Sequence, residues 1–162
     1  MTTTSSLSCL STILRRIFHY QLLTRQKLVQ EELEEVFGDS DRDCTMNDAT
    51  QLKYMDHCIK ETLRLFPPVP NMARQLSEDT QIGDYKIPAG TNVTMQLVAL
   101  HRSEEFFPDP LNFNPDRFNA DQSAGRSPYA YIPFSTGPRN CMGEYSFTLS
   151  KRNLQLSFLF FN

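Results

Sequence analysis

The chain has 162 residues, 40% of them hydrophobic, which suits one globular domain with a real core. Its net charge is −3, with Glu31, Glu32, Glu34, Glu35, Asp39, Asp41 and Asp43 gathered in one run, so there is no case for a nucleic-acid partner. Cys9, Cys44, Cys58 and Cys141 lack the short spacing of zinc sites and stand without a clear secretory signal, which makes no case for disulfides and favours a reducing compartment.

Residues 1–30 contain no Asp or Glu but carry Arg15, Arg16, Arg25 and Lys27 amid many Ser and Thr. That composition suits either a mitochondrial transit peptide or a remnant helix. No stretch reaches the length of a membrane-spanning helix. All ten prolines lie between Pro67 and Pro138, leaving the first 66 and last 24 residues free to be largely helical. A helix is predicted from Leu22 to Phe37, closed by Gly38, and the acidic run reads as its solvated end and the following loop. Thr45 to Asp48 forms a capping box opening a second helix, with Leu52, Met55, Ile59 and Phe66 on its inner face and Pro67 ending it. Ile82, Tyr85 and Ile87 around Gly83-Asp84 suggest a hairpin, and Pro88-Ala89-Gly90 turns into a strand from Val93 to Leu97. Residues 106–131 form an irregular meander, of a length that makes sense when wrapped against a cofactor or another core. A last helix runs from Gly143 to about Phe161, with Glu144 in its first turn and Phe147, Leu154, Phe158 and Phe161 at mostly helical spacing. The fold class is mainly α with a small β portion.

The chemistry is concentrated in Phe134-Ser135-Thr136-Gly137-Pro138-Arg139-Asn140-Cys141-Met142-Gly143, the spacing F-x-x-G-x-R-x-C-x-G. Cys141 is a candidate axial ligand to haem iron, because a thiolate pushes electron density through the metal and favours O–O cleavage. Gly137 permits a tight turn that aims N–H groups at the sulfur, and Gly143 lets backbone approach a flat macrocycle. Arg139 is spaced to pair with a haem propionate, and Phe134 to shield the sulfur from water. A buried, inert cysteine in a Gly/Pro loop is the plainer alternative that an isolated cysteine would suggest.

This segment resembles the cysteine-ligand loop of the cytochrome P450 family, the haem-thiolate monooxygenases. The family's E-x-x-R element is matched by Glu61-Thr62-Leu63-Arg64, and its P-x-R-F element by Pro115-Asp116-Arg117-Phe118. The resemblance implies a structural triad of Glu61, Arg64 and Arg117 that holds the cysteine loop. Arg74 takes the place of a second propionate partner, although an arginine before a strand is commonly just surface. His101 has no ligand duty in the family pattern and reads as structural. Met1 to Ser8 resembles the end of the oxygen-binding helix, with Met1 where an acid is expected and Thr2 at the threonine that bonds dioxygen and helps deliver protons. Residues 9–25 depart from the pattern, and the family's His-Pro-Glu element is absent.

What the resemblance implies is the C-terminal part of the cytochrome P450 fold as a single partial domain over residues 1–162. Its parts are remnant helices (1–38), the E-x-x-R helix (45–66), strands and meander (67–132), and the cysteine loop with its helix (133–162). The implied function is monooxygenation with haem b, NADPH electrons arriving only through a reductase, and a small hydrophobic substrate. The microsomal fatty-acid omega-hydroxylase clan is the most similar. The implied location is the endoplasmic reticulum membrane, with the anchor expected to be missing from this chain. Lys151 and Arg152 are candidates to meet an acidic redox partner. The competing expectations are a noncatalytic remnant or incomplete gene product, and a haem-binding sensor without oxygen chemistry.

Overall fold

The structure is a computed structural model that describes residues 23–38, 40 and 45–143. Thr2, Lys151, Arg152 and the predicted last helix beyond Gly143 lie outside the described residues. Helix α1 (Leu23–Phe37) ends as expected: Gly38 adopts φ +55° and its N–H reaches the Glu34 carbonyl at 2.8 Å. Val29 and Leu33, one turn apart, face inward and are buried.

The second predicted helix is two helices. Thr45 opens α2 (Met46–Gln51): its hydroxyl accepts the Asp48 N–H at 3.3 Å, and the Asp48 carboxylate accepts the Thr45 N–H at 2.8 Å. Leu52 then takes ψ 67°, which breaks the helical path, and α3 (Lys53–Leu65) begins anew. The break exposes N–H groups that have no partner in their own helix. Glu32 of α1 supplies one, its carboxylate accepting from Tyr54 N at 2.7 Å and Met55 N at 2.9 Å. The acidic run is therefore not wholly solvated, because one of its members caps a neighbouring helix with favourable charge. Phe66 also departs from expectation. At φ −133° it has left the helix, so its side chain is 39% exposed and lies 6.0 Å from the Arg102 guanidinium.

Val29, Leu33, Leu52, Met55, Cys58, Ile59, Leu63, Leu65 and Phe113 form the core, with Phe134 packed against it. Burial pushes the Cys58 thiol up to about 12, so this cysteine behaves as a small hydrophobe and is inert as a nucleophile. β1 (Asn71–Gln75) pairs antiparallel with β4 (Asn92–Gln96), and β2 (Thr80–Ile82) with β3 (Tyr85–Ile87) across the expected Gly83-Asp84 turn, where Gly83 has φ +57°. Leu97, expected to close a strand, instead opens α4 (Leu97–His101) and is buried. The meander is less irregular than expected: it holds 3-10 turns at Pro115–Phe118 and Pro128–Ala130 around a short α5 (Ala120–Ser123). Asn114 and Ser127 cap those 3-10 turns ahead of prolines whose fixed φ suits a first helical position. Among the described residues, no helix is long and apolar enough to cross a membrane.

Candidate functional site

Glu61 and Arg64 share one face of α3 and have no solvent exposure. The pair is bidentate, with Arg64 Nε 2.7 Å from Glu61 Oε2 and Arg64 Nη2 2.9 Å from Oε1. Arg117 reaches the same carboxylate from the Pro115–Phe118 turn, its Nε 3.1 Å from Oε1, and the Asn114 N–H donates to Oε1 at 2.8 Å. Two guanidiniums around one carboxylate bury a net positive charge, which the meander offsets with main-chain oxygens. Arg64 Nη1 donates to the His101 carbonyl at 2.8 Å, while Arg117 donates to those of Pro108 at 2.9 Å, Asp109 at 3.1 Å and Asn112 at 3.2 Å. Asp109 takes φ +49°, a left-handed conformation that aspartate tolerates better than most residues, and its carbonyl also accepts the Asn112 N–H.

Two residues that carry no assigned role in the sequence reading complete this cluster. The Phe107 ring has no solvent exposure and lies 5.2 Å from the Arg64 guanidinium carbon and 4.6 Å from that of Arg126. Arg126 also donates to the Arg117 carbonyl at 2.8 Å, and burial together with the Arg117 charge lowers its pKa. The Phe-Phe-Pro-Asp-Pro string of residues 106–110 carried no periodic signal that could have placed Phe107 there.

Above the cluster, Tyr131 and Ile132 form the root of the cysteine loop. The Tyr131 hydroxyl donates to the Lys60 carbonyl at 3.0 Å, its ring lies edge-on to Phe118 at 5.0 Å, and burial holds the phenol pKa well above its ordinary value. The Ile132 N–H donates to His101 Nε2 at 3.0 Å. From there the chain turns tightly. Ser135 N–H reaches the Ile132 carbonyl at 3.1 Å with Ser135 at φ +67°, and Gly137 adopts φ +85°. The Asn140 N–H bonds the Gly137 carbonyl at 3.1 Å, and the Cys141 N–H closes the loop onto the Phe134 carbonyl at 2.9 Å. Cys141 is exposed, and a Cβ built on Gly143 would stand 3.4 Å from its Sγ. Arg139 is exposed on the same loop.

The Cytochrome P450 family model matches residues 1–154. The chain belongs to the cytochrome P450 family. Cytochrome P450 4V2 of Mus musculus is 55% identical over 119 residues, 74% of this chain and 23% of that protein. Cytochrome P450 4c3 of Drosophila melanogaster is 50% identical over 120 residues, 74% of this chain and 22% of its own length. Cytochrome P450 4c21 of Blattella germanica is 45% identical over 134 residues, covering 83% and 26% of the two chains. The chain thus spans about a quarter of the length of the curated relatives it matches.

Of the family positions read from the sequence, the structure brings Glu61, Arg64 and Arg117 into one buried cluster, and Phe134, Gly137, Cys141 and Gly143 into one turn. Arg74 stands apart from the cluster, exposed on β1, its guanidinium 3.4 Å from the carbonyl of Ala73. Among the described residues no group of three or more His, Cys, Asp or Glu side chains could hold a metal ion.

Proposed function

We propose that this chain supplies the proximal, cysteine side of a haem-thiolate monooxygenase, with Cys141 as the axial ligand. The observation that carries the proposal is an exposed thiol on a turn closed by the Cys141 N–H to Phe134 carbonyl bond at 2.9 Å. The residues present fit a haem. The sulfur is accessible, a Cβ at Gly143 would stand in contact with it at 3.4 Å, and the exposed Arg139, two residues before Cys141, offers a cation for a propionate. Haem b, when bound, supplies the iron at which dioxygen is activated for insertion of one oxygen atom into a C–H bond.

The chain's own residues do the holding. Cys141 donates the charge that a thiolate ligand brings, Gly137 makes the turn that presents it, and Phe134 ties the turn to the core. Glu61, Arg64 and Arg117 keep the meander and the loop root in place. Their hydrogen bonds go to one another, to His101 and to the meander, so their role is scaffolding. Arg74 is assigned to a second propionate, and proton delivery to Thr2. Electrons from NADPH arrive through a reductase, which Lys151 and Arg152 help to recognise. The substrate is a small hydrophobic molecule, in keeping with fatty-acid omega-hydroxylation, and the location is the endoplasmic reticulum membrane.

The test is a reduced-CO difference spectrum of the haem-loaded full chain beside Cys141→Ser. The expected result is a thiolate-type Soret band that the substitution abolishes, while thermal stability changes by less than about 0.5 kcal/mol because the side chain is exposed. Thiolate ligation without NADPH-supported turnover would favour a haem-binding sensor. No haem uptake in either chain would sink the ligand assignment and leave a noncatalytic reading.

A further inference from the structure

His101 is fully buried at the end of α4, and it touches both halves of the site through different atoms. Its main-chain carbonyl accepts from Arg64 Nη1 at 2.8 Å, which ties it to the buried cluster. Its ring nitrogen Nε2 accepts the Ile132 N–H at 3.0 Å, and the ring lies 5.4 Å from that of Tyr131. Ile132 in turn offers its carbonyl to Ser135 N–H at 3.1 Å, the first turn bond of the cysteine loop. The chain of contacts is continuous from Glu61 through Arg64 and His101 to Ile132, Ser135 and the loop.

The state of the imidazole follows from these bonds. Because Nε2 accepts, the ring proton of the neutral form resides on Nδ1. Nδ1 is buried and makes no well-formed hydrogen bond among the described residues, its N–H being left with a weak interaction toward the Arg64 carbonyl. A buried donor so poorly paired is disfavoured, and an apolar side chain of similar size would avoid that penalty. The imidazole is therefore not explained as core filling. Its use lies in the one bond an apolar side chain could not make, the acceptor presented to Ile132.

We propose that His101 is a positioning residue for the cysteine loop, its side chain fixing the loop root at Ile132 while its carbonyl is gripped by the Glu61–Arg64–Arg117 cluster. The consequence for iron binding rests on the reading of Cys141 as the ligand. The anchor itself does not. A glutamine at this position reaches far enough to present its amide oxygen near the place of Nε2, leucine fills the space without an acceptor, and asparagine is too short to reach.

The experiment is amide hydrogen exchange on the full chain for wild type, His101→Leu, His101→Asn and His101→Gln, with Ile59→Val as a core-packing control. In the leucine and asparagine variants the Ile132, Ser135 and Cys141 amides should exchange about fivefold faster relative to the amides of α3, and glutamine should return them to within about twofold of wild type. Haem titration of the same proteins should show the thiolate band weakened in the leucine and asparagine variants and restored by glutamine. Faster exchange spread evenly over α3 and the loop, as expected for Ile59→Val, would overturn the proposal, and so would glutamine failing as leucine does. If wild type itself shows no thiolate band, the ligand reading falls and the exchange pattern alone decides the anchor. If leucine and asparagine free the loop amides but leave the thiolate band at full strength, the positioning role is overturned.

Discussion

The two halves of the site are built in opposite ways. Around Glu61, charged side chains are sealed from water and nearly every donor is paired, with Arg117 alone serving three meander carbonyls and one carboxylate. Around Cys141, the tip is held by main-chain bonds and points into solvent, with Met142 96% exposed. The first arrangement makes a base that resists distortion. The second leaves a sulfur open to solvent. Rigidity at the foundation allows the tip to be both exposed and well placed.

The strongest way to break this contrast is Glu61→Gln. It leaves Arg64 and Arg117 buried beside each other without a counter-charge, so the chain should lose about 3 to 5 kcal/mol, read by urea or thermal unfolding. Lowering the pH should act next. Burial first, and the nearby Arg64 charge second, lower the His101 pKa from 6.5 to about 4. Between those values the unfolded chain takes up a proton that the fold refuses. Stability is therefore fully present above about pH 6.5 and should fall by roughly 2 to 3 kcal/mol as the pH drops to 4. Arg64 is the charge that faces the imidazole, and the neutral Tyr131 ring does not titrate in this window. His101→Gln should flatten the slope of a denaturation series across that range.

Smaller effects separate the two halves more finely. Glu32→Ala removes the acceptor for Tyr54 N and Met55 N, and should cost about 1 to 2 kcal/mol, with faster exchange confined to the start of α3. Gly137→Ala should cost about 1 kcal/mol, since the position has φ +85° but no atom within 4 Å of the added methyl. The expected signature is a modest fall in melting temperature together with a weakened thiolate band. A fall with the band intact would show that the turn and the sulfur are less coupled than the geometry indicates.

Much of the architecture was legible because its signals are local. The Thr45 and Asp48 box, the Gly38 stop, the Gly83-Asp84 turn and the Gly137 turn each depend on a few neighbouring residues. The triad was legible for another reason: Glu61, Arg64 and Arg117 stand in short patterns that mark a family. What stayed hidden depends on residues far apart in the chain. Glu32 looked like one more member of an acidic run, because its partners on α3 lie 22 and 23 residues away. The bond between His101 and Ile132 spans 31 residues and belongs to no spacing rule. Leu52 suits a helix by composition, and its break is visible only with α1 in place to receive the freed N–H groups. Phe66 follows the helical period of its neighbours, yet the helix ends before reaching it.

Arg117 grips the meander by its carbonyl oxygens at Pro108, Asp109 and Asn112. Such a hold reads the path of the chain and ignores the identity of its side chains. Leu111, inside that span and 73% exposed, is free to be replaced by polar residues without loosening the clasp. A region fixed in shape and open in sequence can drift at its surface while the foundation beneath the cysteine loop stays the same.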